Sequence, residues 1–283
     1  MRGDAASMRV LRPRTIEEAV DLYARHADAV PFAGGTDFMV AWNAGGENGR
    51  LILDLGAMTS WKRVRESGGG LRIGTLATHW QLQHDPRVAK RFPLLVEACA
   101  TIGGRQIQTR GTLGGNIANA SPAGDTFPSL AVYEARVRVL SAAGRRTLPI
   151  VDVFEGVKKT ALGPGELIES IDIDYPKTPA RQLFRKVGTR AASAISKTVA
   201  AGLLWLRKDG TIRELRFALG SMAPTVRRLR AVEAFVVGKK PTGEVVEEAV
   251  ALLDEDVSPI DDVRSTRFYR LEVSRNLLRG FLK

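Results

Sequence analysis

The sequence predicts an α+β fold in two parts, a larger region over residues 1–178 and a smaller module over residues 179–283. Three observations carry that reading. Helical periodicities and short alternating strands are mixed through the first part. Pro176 and Pro179 then interrupt the chain, as closely spaced prolines do at a boundary. Beyond them a hairpin pattern is followed by three helical patterns, with no internal repeat and no low-complexity tract.

The elements follow in order. Thr15-Ile16-Glu17-Glu18 places a hydroxyl at an N-cap and a carboxylate at the third helical position, a capping box. Ile16, Ala19, Val20 and Tyr23 then share one helical face. An apolar run from Ala29 to Ala33 reads as a strand ending in the loop Gly34-Gly35. "LILDL" (51–55) and "LRIGT" (71–75) are further short strands, and helices are expected over 78–84 and 92–102. "ARVRVLS" (135–141) and "ESIDIDY" (169–175) alternate apolar and polar residues, as half-buried strands do. In "TVAAGLLWLRKDGTIRELRFALG" (198–220), Asp209-Gly210 supplies the positive φ angles of a tight hairpin turn. Helical patterns cover roughly 224–237, 243–253 and 265–282.

Composition narrows the function. An apolar fraction of 44% and a charged fraction of 26% describe an ordinary globular protein. No apolar run reaches the roughly 18–20 residues that span a bilayer. The N-terminal stretch lacks an apolar signal core, so a cytoplasmic location is expected. The single cysteine, Cys99, excludes an internal disulfide framework and any cysteine-ligated zinc or iron–sulfur centre within this chain. The three histidines, His26, His79 and His84, form no ligand spacing, so no metal site is expected. The net charge of +11 raises nucleic-acid binding as a class. Its basic pairs are scattered, however, and the aromatics, 6% of the chain, do not interleave with them as a base-stacking face requires. Fingerprints of the Rossmann, P-loop and serine-hydrolase sites are absent. Ser193 and Ser196 have no histidine nearby in sequence and read as structural.

Two stretches carry chemistry. "AGGTD" (33–37) and "GTLGGN" (111–116) each set paired glycines beside a threonine. Glycine lets the backbone reach otherwise closed φ values and lets a ligand approach, and successive N–H groups then converge on an anion. Thr36 and Thr112 add hydroxyls, and Asn116, Asn119 and Ser121 add neutral polar groups. Asp37 and Asp125 can accept from ribose or ribityl hydroxyls. One glycine pair alone is equally an ordinary tight turn. Two of them with the polar tail "NIANASPAGD" point to a dinucleotide diphosphate held from two sides.

With these residues in view, "PFAGGTDFMV" (31–40) followed by "TIGGRQIQTRGTLGGNIANASPAGD" (101–125) resembles the FAD-binding medium subunit of the molybdenum hydroxylases, the xanthine dehydrogenase and carbon monoxide dehydrogenase family. "GELIESIDI" (165–173), "FRKVGTRAASAIS" (184–196), "FALGSMAPTVRRLRAVE" (217–233) and "YRLEVSRNLLRGFL" (269–282) extend the resemblance over nearly the whole chain. It implies a two-part FAD-binding region of the vanillyl-alcohol-oxidase (PCMH) type, followed by a small α+β C-terminal domain. It also implies that Ala33, Gly34, Gly35, Thr36 and Asp37 form a first FAD loop, and Thr112, Gly114, Gly115 and Asn116 a second. Asp125 would bond the ribityl or adenosine side of the cofactor. Leu167 would pack near the isoalloxazine, and Lys186 would approach its polar edge. Residue 102 is Ile where some relatives carry an aromatic that could cover a flavin face.

The same resemblance implies an oxidoreductase in which this chain relays electrons. A large subunit would hold molybdopterin and a small subunit two two-iron clusters, in a heterohexamer. Electrons would pass from those clusters through FAD to NAD, a quinone or oxygen. No general acid or base is required here, and no catalytic residue is assigned. The alternatives are a stand-alone FAD-dependent oxidoreductase of the same fold and a scaffold that binds no flavin.

Overall fold

The computed structural model describes residues 3–283; the first two residues of the N-terminal stretch lie outside it. It consists of two lobes and a C-terminal module, each built on its own sheet.

The first lobe is a three-stranded parallel sheet in the order Arg9–Leu11, Leu51–Asp54, Val30–Phe32. The helix Ile16–Arg25 supplies the crossover that connects parallel strands. Thr15 caps it by accepting from the Glu18 N–H at 3.1 Å. The return half of the box differs from expectation: the Glu18 carboxylate accepts from the N–H of Arg14, not Thr15, at 2.7 Å. Ala19, Leu51, Leu53, Leu55, Met58 and Trp61 form this lobe's core.

The second lobe is a five-stranded antiparallel sheet in the order Val64–Ser67, Gly70–Gly74, Leu167–Asp174, Arg136–Ser141, Gly144–Pro149. Ile171 and Ile173 point into the core, and Val137 pairs with Ile171 in register. On the opposite face Asp172 takes a bidentate bond from Arg72 at 2.7 Å. The alternation read from "ESIDIDY" therefore has its physical basis in one apolar and one ion-paired face. The helix expected over 92–102 is shorter, Pro93–Ala100, and a separate helix Pro86–Arg91 precedes it. The break falls at Pro93, which cannot continue a helix from Arg91.

The C-terminal module is an antiparallel sheet of Arg181–Val187, Thr198–Leu206, Ile212–Gly220 and Arg227–Arg228. Every residue of its second strand but the last is buried, because this sheet is covered on both faces. Ala201, Leu203 and Trp205 join the core of the second lobe, while Ala200 and Leu204 join the module's own helical core. Burying a leucine side chain contributes about 1.5–3 kcal/mol, so the shared core binds module and lobe firmly. The helices Arg230–Val236, Gly243–Ala251 and Arg267–Leu282 close the outer face. The hairpin differs in one respect: among Asp209 and Gly210 only the glycine has positive φ, +81°. A longer loop closes it, with the N–H of Arg207 donating to Thr211 O at 2.8 Å and the Asp209 carboxylate accepting from the Thr211 N–H at 2.9 Å.

Candidate functional site

The two glycine loops meet. A side chain on Gly34 would stand 1.9 Å from the carbonyl oxygen of Arg110, so the first loop lies directly on the backbone that leads into the second. Gly35 adopts φ +74° with the Phe32 ring beneath it, a conformation costly for any other residue. Among the described residues, the N–H groups of Gly34, Gly35, Thr36 and Asp37 donate to no protein acceptor. They are free donors at the mouth of a cavity.

The second loop is organised differently. Gly114 N–H donates to Thr75 O and Leu113 N–H to Ala77 O, each at 2.9 Å. A side chain on Gly114 would strike Thr75 Oγ1 at 1.7 Å. The Thr112 hydroxyl caps the helix Leu113–Asn119, accepting from Gly115 N–H at 3.0 Å. Contrary to the expectation of a second ring of free N–H donors, this backbone is spent on packing against residues 75–79. What it presents to the cavity is Gly115, which is exposed, and the Asn116 side chain. Asn116 Oδ1 accepts from the Thr126 hydroxyl at 2.6 Å, which orients its amide.

Two cavities of about 920 and 570 Å³ open beside the loops and share Ile102, Ile107, Asn116 and Asn119 in their walls. The smaller is lined by Ala33, Gly34, Gly35, Thr36, Asp37, Thr112 and Gly115. The larger runs between the second lobe and the C-terminal module and includes Asp125 and Lys186. Together they form one cleft, donor-rich at one end and more apolar at the other.

Asp125 and Lys186, far apart in sequence, form a largely buried pair at 2.7 Å, and Lys186 Nζ also donates to Thr101 O at 2.9 Å. Burial pushes the Asp125 carboxyl up to about 6 against the attraction of Lys186. Its other oxygen, Oδ1, is buried with no hydrogen-bond partner, a costly state for a carboxylate. At the cleft mouth Asp37 accepts from Asn119 Nδ2 at 3.2 Å and lies 3.5 Å from Lys158 Nζ, which also bonds Asn119 Oδ1. This bridge ties the first loop to the second.

Leu167 does not stand where the resemblance put it. It is 2% exposed in the first lobe's core and lines neither cavity. The strand Leu167–Asp174 is bulged between Ile168 and Ser170, and Leu167, paired in register with Leu140, belongs to the same apolar cluster as Trp61. Among the cleft residues that the sequence does not mark as a site are Ile107, Lys158 and His79. Ile107 signalled itself only as an apolar residue in a glycine-flanked stretch. Lys158 stands in the sequence as half of one basic pair, Lys158-Lys159. His79, 2% exposed, lines the smaller cavity and carried no spacing signal.

A family model described as the FAD binding domain in molybdopterin dehydrogenase matches residues 6–176, and one described as the CO dehydrogenase flavoprotein C-terminal domain matches residues 183–283. The chain belongs to this family of FAD-binding oxidoreductase subunits. It is 28% identical over 278 residues to the carbon monoxide dehydrogenase medium chain of Hydrogenophaga pseudoflava, covering 95% of this chain and 94% of that one. It is 29% identical over 273 residues to the nicotine 6-hydroxylase medium subunit of Paenarthrobacter nicotinovorans, covering 96% and 95%. The fold superposes on a chain of reconstituted CO dehydrogenase from Oligotropha carboxidovorans with a TM-score of 0.93 at 26% identity, over 100% of this chain and 98% of that one.

The cleft suits FAD on its own observations. It offers free backbone N–H groups for a diphosphate, an exposed glycine at residue 115, and a buried carboxylate oxygen lacking a donor. No helix among the described residues is long and apolar enough to cross a membrane.

Proposed function

We propose that this chain is the FAD subunit of a molybdenum-containing hydroxylase or dehydrogenase, seating the cofactor through which electrons pass from iron–sulfur clusters on a small partner subunit to NAD, a quinone or oxygen. A large partner subunit would hold the molybdopterin. The observation that carries this reading is a single cleft joining both glycine loops to the Asp125–Lys186 pair, in a chain whose two family matches span nearly its length.

Bound FAD would supply a redox group that takes up and releases electrons singly or in pairs. The chain's own residues do the rest. The free N–H groups of Gly34 to Asp37 and the hydroxyl of Thr36 would hold the diphosphate. Asn116 would add its oriented amide, and Thr112 fixes the second loop rather than donating directly. Asp125 Oδ1 would accept from a ribityl or ribose hydroxyl, satisfying its missing bond. Lys186 would set its ammonium beside the more apolar part of the cleft, and Ile102 and Ile107 would supply apolar surface where the two cavities meet. The charge of +11 would favour docking to acidic partner surfaces.

The test is to co-express the chain with large and small subunits, purify through a tag on this chain, and measure flavin, iron and molybdenum. All three are expected together. Flavin on a chain that retains no partner would assign a self-contained flavoenzyme, and no flavin in any preparation would overturn both readings.

A further inference from the structure

His79 is the first residue of the helix His79–His84, whose cap is Thr78. Its backbone is stapled to the second loop, since its N–H donates to Gly111 O at 3.0 Å. Its ring is buried and forms part of the wall of the smaller cavity. On the inner side, Nδ1 lies 3.6 Å from the sulfur of Cys99, which is itself fully buried. On the outer side, Cδ2 lies 3.2 Å from the point where a side chain on Gly111 would stand, and Thr36 Oγ1 lies 3.3 Å from the same point. At Gly111 the imidazole edge and a hydroxyl of the first loop therefore converge, with the Ile107 carbonyl oxygen 3.0 Å from the same point, too closely for a side chain to fit without a shift. No group among the described residues hydrogen-bonds Nε2.

We propose that His79 is a binding residue of this cleft, a neutral imidazole whose Nε2–H donates to a diphosphate oxygen of the dinucleotide, with Cys99 fixing the tautomer from behind. The inference rests on the reading of the cleft as a FAD site. In the proposed arrangement the buried thiol donates to Nδ1, which puts the ring proton on Nε2. Burial supports both protonation states: it lowers His79 to about 4 and pushes the Cys99 thiol up. The surroundings select the ligand group. The polar groups on this side include the free N–H groups of the first loop and the Thr36 hydroxyl; of the two carboxylates in the same wall, Asp37 is engaged by Asn119 and Lys158, and Glu47 lies 3.9 Å from Arg50. A further donor there matches an anionic acceptor. A neutral donor provides directionality without the cost of burying a cation.

The experiment measures binding of FAD and of riboflavin to the flavin-free full chain by fluorescence, for the native protein, His79→Leu and His79→Gln. Leu removes the donor and Gln restores an N–H. For His79→Leu the FAD affinity is expected to fall about ten- to a hundredfold, the range for a hydrogen bond to a charged group. Riboflavin, which lacks the diphosphate, should bind the two proteins alike, and His79→Gln should recover most of the FAD affinity. Equal FAD affinity of the native chain and His79→Leu overturns the inference and leaves the FAD reading intact. A native chain that binds no FAD overturns that reading first. Should His79→Leu fail to fold, NMR of the native chain with isotope-labelled histidine decides: a proton on Nε2 and none on Nδ1 is expected, and the opposite tautomer or an imidazolium at neutral pH overturns the inference.

Discussion

In the loop at residues 33–37, four consecutive N–H groups are left without a protein acceptor among the described residues, whereas in the loop at residues 111–116 the N–H groups of Gly111, Leu113, Gly114, Gly115 and Asn116 are bonded to Ile107, Ala77, Thr75 and Thr112. The two segments share their letters, a glycine pair and a threonine, yet divide the work. The first presents backbone. The second anchors itself, and through Gly34 against Arg110 it also positions the first. Glycine therefore serves three needs within a few residues: close packing at Gly34 and Gly114, a positive φ at Gly35, and an exposed surface over the Thr112 cap at Gly115. A glycine motif reports that a side chain is excluded, and only the surroundings say by what.

Substitutions separate these roles. The largest effects belong to the packing glycines. Gly34→Ala sets a methyl into the Arg110 carbonyl and Gly114→Ala sets one into Thr75. Overpacking of this kind costs roughly 1–3 kcal/mol, and Gly34→Ala should lie at the top of that range because its obstacle is backbone. Melting of the flavin-free chain checks both; native-like melting would show that the loops do not depend on each other.

Gly115→Asp is the opposite case. Its Cβ would stand 2.9 Å from the Thr112 hydroxyl, so stability in melting should fall by no more than that cap is worth, about 1 kcal/mol, while a carboxylate beside the diphosphate should weaken FAD binding by at least about tenfold, or ~1.4 kcal/mol. Full flavin occupancy in this variant would remove the second loop from the site.

Asp125 gives a pH signature. Its folded pKa of about 6 exceeds the ordinary 3.8, so the folded state holds the proton more tightly than the unfolded one. The stability this contributes is present below about 4 and is lost as pH rises through about 6. Lys186 attracts the carboxylate and the neutral thiol of Cys99 lies nearby. Asp125→Asn should erase that slope in the melting temperature of the flavin-free chain, and should lower stability at neutral pH by leaving Lys186 only the Thr101 carbonyl.

The smallest effects come from the matched threonines. Thr112→Ala removes a helix cap, worth about 1 kcal/mol. Thr36→Ala should leave melting within about 0.5 kcal/mol and weaken FAD binding by up to about tenfold, one hydrogen bond. If the two variants behaved alike in both assays, the division of labour between the loops would fail.

Sequence by itself determined the local elements and the composition of the site. The alternation in 169–175 had to become a strand with one apolar face, and the Thr15 hydroxyl had to start a helix, because period and capping are set by neighbours in the chain. The glycines and neutral polar residues of 111–125 marked a segment where backbone matters, and the resemblance gave that segment its cofactor. Tertiary structure alone decided the rest. It paired Asp125 with Lys186, buried Leu167 away from both cavities, and covered both faces of the 198–206 strand. It also seated His79 between Cys99 and the mouth of the cleft. These outcomes depend on which distant segments share a volume, and contacts across that distance leave no periodicity in the chain to be read.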